Sequence, residues 1–563
     1  DLGHRLAHRR RADAVPRGRL QPRQAARVPE ADRTGADRAA QPPWLVTTLR
    51  WQADGVGVVI DRPSHVFVLD LPPDGADDGT PLPQPRQVTD GVADDVDVAW
   101  SPDGGELAFV SARHARADRD LVRDVYAVPA AGGALRRVTD GRADCALPAY
   151  DPSGSWIWLT ARTDLGPDGL DVVGRGATLC RVPAAGGALE PVLDPADTCR
   201  GDDSPATVLG RGAAHLGVQR RGAVELLRVP LDGGPPEALV DGPFTVRGVA
   251  AGGGVVVATV GHDRSAGELI AITPGRRRLL TGFGRALGAT GRLHRTQSRT
   301  AAAPDGSPVH GWVTVPDGPG PHPVLLCVHD GPHQQDGWAL SVDTQALVSA
   351  GYAVVRCNPR GSSGYGQAHG RAVRGAGGTV DADDVAAFLD AVLEDPALDA
   401  DRVGVMGTGY GGWLATVLIG RTTRFAAAVV EGALTDPAGF AASSDVGWWF
   451  ADQYLGAEPA VRAVDVTTPT LVVHGDGDRR CPPEQGLRFY GELKRRGVPS
   501  ELLLFPGEGH DLARSGRPRH RLVRLEHLLR WWARWLPVAP DEDPAELAGD
   551  GREPLTVTTT RLV

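Results

Sequence analysis

The chain has 563 residues, more than a single hydrophobic core usually serves, so we expect at least two domains. Its 60 Lys and Arg residues against 70 Asp and Glu residues give a net charge of -10, which argues against a nucleic-acid partner. No apolar run reaches the roughly 18 to 20 residues that a membrane-spanning helix needs, so the sequence predicts no membrane association.

The first segment, residues 1–43, contains no Phe, Tyr or Trp and is rich in Arg. A secretory signal would need an apolar stretch after its basic residues, and none follows here. We predict that this segment is disordered, or that it is a truncated or misread beginning of the chain. A targeting arm is the alternative.

Short alternating strands broken by Gly, Pro and Asp fill residues 44–290, with hardly any helical period. A sequence motif that consists of an apolar strand followed by a turn recurs along this range. The apolar residues before the turns lie at steps of 59, 54, 47 and 43 residues and are Leu69, Val128, Val182, Val229 and Ile272. Such steps are typical of propeller blades with loops of uneven length. We predict an incomplete β-propeller with about five recognisable blades; a pair of packed β-sandwiches is the alternative.

A second repeated phrase supplies the other half of a blade. The sequence AWSPDGGELAFVSAR at residues 99–113 reads as a strand, a turn and a strand, and AYDPSGSWIWLTAR at residues 149–162 repeats it.

Strands and helices alternate in residues 291–540. The nearly all-apolar run at residues 322–328 is typical of a buried parallel strand, and residues 381–395 have helical spacing with Asp381 near the start as a cap. We predict an α/β domain with a doubly wound, mostly parallel sheet, followed by a C-terminal tail at 541–563. Ligands of such sheets bind at the carboxyl ends of the strands.

Five motifs follow the strands of this second half, and they resemble those of one known family. They are HDGPH at 329–333, NPRGSSGYG at 358–366, GTGYGGW at 407–413, HGDGDRRCPPEQ at 474–485 and PGEGHDL at 506–512. With the preceding propeller, they resemble the prolyl oligopeptidase family of serine peptidases, in particular its acylaminoacyl-peptidase-like branch. The resemblance implies an α/β-hydrolase domain, hydrolysis of short or N-blocked peptides, and no cofactor. It leaves a homo-oligomer open.

The family uses a Ser, Asp and His triad in that chain order. Matched position by position, the resemblance implies that Asp478 is the acid and His510 the base. The position of the nucleophile, at the centre of a sharp turn between a strand and a helix, holds Gly409. Without a hydroxyl no acyl-enzyme forms, and removing the nucleophile from a comparable site costs about 10⁶ in turnover. The activity that would remain is weak hydrolysis by a water molecule that His510 activates.

The loop that should form the oxyanion hole departs from the family as well. The resemblance implies one donor at the backbone N–H of Tyr410 and the other in the loop around Asp330 and Gly331. The family usually has Gly where this chain has Asp330. Two negative charges about 4 Å apart repel by roughly 4 kcal/mol at an effective dielectric constant near 20. An ionised Asp330 that points into the site would therefore oppose catalysis.

Other polar residues near these motifs are weaker candidates. Thr408 and Tyr410 flank Gly409 in the sharp turn between strand and helix, which we call the elbow, and their side chains should point away from the substrate. The loop serines are typical turn residues. These serines are Ser362, Ser363, Ser443 and Ser444. His329 and His333 lie four residues apart on a loop rather than a helix, so we predict no metal site. We expect Arg479 and Arg480 to be solvated.

The six cysteines are far apart and have no metal-binding spacing, which favours free thiols in a reducing, cytoplasmic location. They are Cys145, Cys180, Cys199, Cys327, Cys357 and Cys481.

Three hypotheses for function remain open at this point. The first is a pseudoenzyme with a peptidase fold that binds peptides and hydrolyses them poorly or not at all. The second is an active serine exopeptidase or acylaminoacyl peptidase in which Gly409 reflects a sequence error or an engineered change. The third is an interaction scaffold that uses the propeller.

Overall fold

The computed structural model describes residues 43–60, 62–70, 84–201, 203–210, 212–455 and 465–538. The predicted N-terminal segment, apart from residue 43, and the predicted tail at 541–563 lie outside the described residues.

The first half of the described chain consists of antiparallel β-sheets. A short hairpin, β1 and β2, precedes the two-stranded sheet β3–β4, and four meanders of four strands follow. The third and fourth meanders join through the parallel pair Val224 and Thr245. The strands are β1 (Gln52–Ala53), β2 (Gly57–Val58), β3 (Phe67–Val68), β4 (Arg86–Gln87), β5 (Asp95–Trp100), β6 (Glu106–Ser111), β7 (Asp124–Pro129), β8 (Arg136–Arg137), β9 (Asp144–Tyr150), β10 (Trp156–Arg162), β11 (Thr178–Pro183), β12 (Glu190–Pro191), β13 (Val208–Leu209), β14 (Ala213–Arg220), β15 (Ala223–Pro230), β16 (Glu237–Val240), β17 (Thr245–Gly252), β18 (Val255–His262), β19 (Ser265–Thr273) and β20 (Arg276–Leu279).

The repeated phrases found in the sequence occupy equivalent places in these meanders. Val128, Val182, Val229 and Ile272 lie in β7, β11, β15 and β19, which are the third strands of the four meanders. Leu69 directly follows β3, which pairs with β4 as a third strand pairs with a fourth. The prediction of a propeller with about five recognisable blades is therefore confirmed, with the first blade represented by two strands in the described residues.

The two repeated turns close in the same way. The N–H of Gly104 donates to the carbonyl of Ser101 at 2.9 Å, and the N–H of Gly154 donates to the carbonyl of Asp151 at the same distance. Both glycines have a positive φ, 72° and 74°, a conformation that residues with a Cβ rarely adopt. Each turn joins the first and second long strands of its blade.

The second half contains one eight-stranded sheet with the order β21-β22-β24-β23-β25-β26-β27-β28. The pairs β21–β22 and β22–β24 are antiparallel, and the other pairs are parallel. This confirms the mostly parallel α/β-hydrolase sheet; the sequence analysis missed its antiparallel edge. The strands are β21 (Thr296–Ala302), β22 (Pro308–Thr314), β23 (His322–Val328), β24 (Ala353–Asn358), β25 (Leu398–Thr408), β26 (Phe425–Glu431), β27 (Thr470–Gly475) and β28 (Ser500–Phe505).

Helices cover both faces of this sheet, which explains the continuous apolar run in β23. Val324 and Leu326 pack on one face with helix residues such as Leu414, whereas Leu325 packs on the other face with Trp532. The helices are α1 (Arg285–Gly288), α2 (Val342–Ser349), α3 (Gln367–Arg371), α4 (Val380–Val392), α5 (Tyr410–Arg421), α6 (Pro437–Ser443), α7 (Gly447–Tyr454), α8 (Pro483–Arg495), α9 (Leu512–Ser515) and α10 (Pro518–Trp535).

The expected capping role of Asp381 is wrong. Thr379 is the N-cap of α4, and Asp381 lies within the first turn, fully buried. Its carboxylate accepts hydrogen bonds from the N–H of Gly378 and from the hydroxyl of Tyr410, at 3.1 and 2.7 Å. Asp381 thus ties α4 to the start of α5.

Among the described residues no helix combines the length and the apolarity that crossing a bilayer requires. The six cysteines are free thiols; Cys327 is partly exposed and the other five are buried.

Candidate active site

The site motifs meet at the carboxyl edge of the eight-stranded sheet. Asp330 follows β23, Gly409 follows β25, Asp478 follows β27 and His510 follows β28. Four of the six parallel strands thus contribute one loop each, because the carboxyl ends of parallel strands share one edge. The arrangement is the one expected for a ligand site on this kind of sheet.

Asp478 and His510 form a buried hydrogen-bonded pair. The Nδ1 atom of His510 lies 3.0 Å from Oδ2 of Asp478, and the two residues are 8% and 3% exposed. The other carboxylate oxygen of Asp478 accepts from the N–H groups of Arg480 and Cys481 at 2.9 and 2.8 Å. These bonds fix the carboxylate, which in turn orients the imidazole with Nε2 toward the elbow.

Gly409 is the centre of a sharp turn from β25 into α5. Its φ and ψ are 57° and -119°, a strained conformation that Gly accepts without a steric cost. Its N–H donates to the carbonyl of Glu431 at 2.9 Å, and its own carbonyl accepts from Trp413 at 3.1 Å. The elbow geometry is therefore present without a side chain at its centre.

Glycines beside the elbow let α5 approach the sheet. A Cβ atom on Gly411 would lie 2.2 Å from the carbonyl oxygen of Val328 and 2.4 Å from that of His329. A Cβ atom on Gly407 would lie 2.2 Å from the carbonyl oxygen of Gly411. These contacts are too short for any side chain, so the close packing of helix on strand requires glycine.

The carboxylate of Asp330 occupies the centre of the site. Its Oδ1 atom accepts hydrogen bonds from the N–H groups of Gly331 and Tyr410, at 2.8 and 3.0 Å. Its Oδ2 atom lies 3.4 Å from Nε2 of His510 and 3.6 Å from a guanidinium nitrogen of Arg514. Both N–H groups that the family resemblance implied as oxyanion donors thus bind a carboxylate of the same chain.

Asp330 also takes the space that a side chain at position 409 would use. A Cβ atom built on Gly409 would lie 2.0 Å from Oδ1 of Asp330 and 3.0 Å from Nε2 of His510. The presence of Asp330 and the absence of a side chain at 409 are therefore sterically linked.

The charges of Asp330 and His510 stabilise each other. Burial opposes ionisation of Asp330, but the hydrogen bond and charge of His510, with Arg514 and the N–H of Tyr410, hold the pKa of its carboxyl well below the ordinary value. Burial alone would lower the pKa of His510, but Asp478 and Asp330 outweigh it and raise this pKa well above the ordinary value. The two carboxylates therefore favour the imidazolium form of His510, and an imidazolium cannot act as a general base.

A carboxylate from the N-terminal hairpin also reaches the site, and the sequence analysis missed it. Asp54, in the turn between β1 and β2, accepts from the N–H groups of Arg479 and His510, at 2.9 and 3.3 Å. Burial raises the pKa of Asp54, and the nearby Asp478 adds to this effect. The hairpin falls in the range predicted as propeller, and no sequence pattern connects it with loops more than 400 positions away.

The hydroxyls of three of the four candidate serines have other partners. Ser362 contacts Nε2 of His329 at 3.1 Å, and the hydroxyls of Ser443 and Ser444 donate to the carbonyls of Gly439 and Arg480. Ser363 is buried and its N–H donates to Gln334.

Thr408 ends β25, and the hydroxyl of Tyr410 is directed to Asp381. His333 contacts the carbonyl of Gly361 through Nδ1 at 3.1 Å. The side chain of Arg480 is 43% exposed, in keeping with the expected solvation, and its guanidinium also pairs with Asp445 at 2.8 Å.

The structure thus combines a propeller, an α/β-hydrolase sheet and an Asp–His pair below a strand-to-helix elbow. Residues 338–538 match the model of the prolyl oligopeptidase family.

Two of the similar curated proteins each match less than half of the chain. The uncharacterized peptidase YuxL of Bacillus subtilis (strain 168) is 39% identical over 247 residues, which cover 41% of this chain and 38% of the relative. The acylamino-acid-releasing enzyme of Sus scrofa is 33% identical over 210 residues, which cover 34% of this chain and 29% of that enzyme. The chain thus matches less than two fifths of either relative.

The fold as a whole is similar to that of a solved structure. Acylaminoacyl peptidase from Pyrococcus horikoshii superposes with a TM-score of 0.76 over 90% of this chain and 80% of that protein, at 21% sequence identity. This likeness extends through both halves of the chain and establishes the combination of propeller and α/β-hydrolase domain.

Proposed function

We propose that the protein is a peptide-binding pseudoenzyme of the serine peptidase type, which binds short or N-blocked peptides and hydrolyses them poorly or not at all. One observation carries the proposal: the buried pair of Asp478 and His510 faces an elbow at which Gly409 provides no nucleophile. The names of the similar proteins, a peptidase and an acylamino-acid-releasing enzyme, support peptides as the ligand class.

The electrostatics of the site support the inactive state. An imidazolium at His510 takes no proton from water, and the carboxylate of Asp330 stands where negative charge would develop during attack on a carbonyl. The lost nucleophile alone corresponds to a fall in turnover of about 10⁶. Both effects act on the chemical step.

The test compares binding with hydrolysis in the unmodified chain. We expect an N-acetylated fluorescent tripeptide to bind saturably, with hydrolysis of its fluorogenic counterpart indistinguishable from a blank. His510→Ala should not change the hydrolysis, and His527→Ala on α10 is a control for a histidine outside the site. Hydrolysis that depends on His510 would contradict the proposal and favour an active peptidase. Failure of every short peptide to bind would instead favour a scaffold.

A further inference from the structure

Four donor groups surround one carboxylate in the site. The N–H groups of Gly331 and Tyr410 converge on Oδ1 of Asp330, while His510 and Arg514 face Oδ2. The side chains of Asp330 and His510 are 12% and 7% exposed, whereas the side chain of Arg514 is 56% exposed and lies at the solvent side of the group. We call this group of donors, formed by Gly331, Tyr410, His510 and Arg514, the carboxylate cradle.

We propose that the cradle is a binding site for a carboxylate, such as the C-terminal carboxylate of a short peptide, and that Asp330 is its resident ligand. Asp330 then acts as an internal blocking group, because a second carboxylate cannot enter while it is in place. The peptide as ligand rests on the proposed function, whereas the occupation of the cradle by Asp330 does not.

The argument begins with what removal of Asp330 would leave behind. Two partly buried N–H groups would lose their acceptor, and a donor that is shielded from water and has no partner costs free energy. His510 would keep only Asp478 as a carboxylate partner through its side chain, with Nε2 facing the vacated space. Arg514 would still pair with Asp511 and hydrogen-bond Gln334. The cradle would thus present donors and positive charge to a space of carboxylate size.

The other charged groups near His510 do not replace Asp330. Asp478 lies on the opposite side of the imidazole, at Nδ1, and Asp54 accepts from the backbone N–H of His510. An exogenous carboxylate is therefore the complementary ligand for the emptied cradle.

The blocking role also predicts a dependence between positions 330 and 409. Because a Cβ atom at 409 would lie 2.0 Å from Oδ1 of Asp330, a serine there would have to displace the carboxylate from the cradle. In Gly409→Ser alone, the serine side chain and the carboxylate of Asp330 would therefore compete for the same space. Restoring it together with Asp330→Gly would free both the serine and the two N–H donors.

The first measurement titrates sodium acetate into the full chain and into Asp330→Gly, with sodium chloride at equal ionic strength as the salt control. The signal of His510 in a ¹H–¹³C spectrum, assigned with His510→Gln, reports the cradle without requiring activity. We expect saturable acetate binding in the millimolar range for Asp330→Gly, and at least tenfold weaker binding for the full chain. Asp511→Asn removes a carboxylate that also pairs with Arg514, so it is the matched control and should behave like the full chain.

Two results would overturn the proposal: an equal response of the full chain and Asp330→Gly, or no response of either. If Asp330→Gly does not fold, Asp330→Asn tests the proposal instead, because it removes the negative charge of the side chain and keeps its size. Its amide oxygen can still accept from both N–H groups, so we expect a lowered His510 pKa and exclusion of acetate. An unchanged His510 pKa in Asp330→Asn would refute the contact between the two side chains.

The second measurement follows labelling by a fluorophosphonate probe, in which the serine oxygen displaces fluoride from phosphorus. We expect Gly409→Ser with Asp330→Gly to label at least 100-fold faster than Gly409→Ser alone. Equal and measurable labelling rates of the two variants would refute the blocking role of Asp330. If neither variant labels but acetate binds as described, the carboxylate cradle stands, and the assignment of the pseudoenzyme to the serine peptidase type fails.

Discussion

Arg524 holds Glu431 through two parallel hydrogen bonds in the interior of the α/β domain. Nε and Nη2 of Arg524 each lie 2.6 Å from one carboxylate oxygen of Glu431, and Nη1 lies 2.8 Å from Asp343. Arg524 and Glu431 are 2% and 3% exposed. Glu431 is also the residue whose carbonyl accepts the N–H of Gly409. The pair therefore connects α10 to the end of β26 and, through it, to the elbow.

Loss of Arg524 should destabilise the protein strongly. Arg524→Met leaves the carboxylate of Glu431 buried without its partner, so we expect the free energy of unfolding to fall by about 3 to 5 kcal/mol. The matched control is Arg534→Met on the same helix, whose pair with Glu501 is about half exposed and should contribute at most about 1 kcal/mol. Urea unfolding of both variants provides the measurement. Equal shifts in the two variants would contradict the role of the buried pair.

The close approach of α5 to the sheet makes a second prediction. Gly411→Ala would place a methyl group against backbone oxygens of Val328 and His329, which cannot move aside, so we expect a loss of at least about 3 kcal/mol in stability. Gly491→Ala in α8 meets no atom within 4 Å and should instead stabilise by about 0.5 to 1 kcal/mol. Thermal unfolding should therefore shift in opposite directions. A tolerated Gly411→Ala would show that the helix is not packed as described.

The mutual stabilisation of Asp330 and His510 predicts how stability depends on pH. The lowered pKa of Asp330 stabilises the fold above the ordinary Asp pKa of about 3.9, and this contribution is lost as pH falls through the folded value. The raised pKa of His510 stabilises the fold below the ordinary His pKa of about 6.5, and this contribution is lost as pH rises through the folded value. Both contributions are fully present only between the two ordinary pKa values, and each decreases outside this range.

The measurement compares the full chain with Asp330→Asn across this range. We expect the full chain to be more stable by about 1 to 3 kcal/mol between about pH 4 and 6.5, with the difference shrinking on either side. Asp511→Asn, whose carboxylate is half exposed, should show no such maximum. A difference that does not vary with pH would mean that the charges of the two side chains are not coupled.

The sequence predicts best what local patterns encode. The third strands of the blades could be located because Val128, Val182, Val229 and Ile272 each stand in the same local phrase. The apolar run around Leu325 predicted a buried parallel strand because residues on both faces of the strand are apolar. Both faces are covered in the structure. In both cases the signal lies within one strand and the turn next to it.

The parts of the site that escaped prediction depend on contacts distant in sequence or on the direction of one side chain. Asp54 stands in an ordinary turn, and only the folded chain brings it to the N–H groups of Arg479 and His510. The family resemblance predicted that Asp330 lies beside the oxyanion donors. That its carboxylate accepts from the N–H groups of Gly331 and Tyr410 depends on the backbone conformation of one loop, which the sequence does not reveal. Asp381 read as a helix cap because its partner, the hydroxyl of Tyr410, belongs to another helix.

The hairpin that carries Asp54 has a mechanical consequence. It docks on the α/β domain through Gln52, which bonds the carbonyl of Ser443, and through the N–H of Asp54, which bonds Asp445. The chain then passes through the blades and returns to the same domain at β21. The propeller is therefore joined to the α/β domain at both of its ends, by the hydrogen bonds of the hairpin and by the chain connection to β21. A wide separation of the two halves would break or strain the hydrogen bond between Asp54 of the hairpin and the N–H of His510. Opening of the site and the position of the His510 loop are therefore coupled.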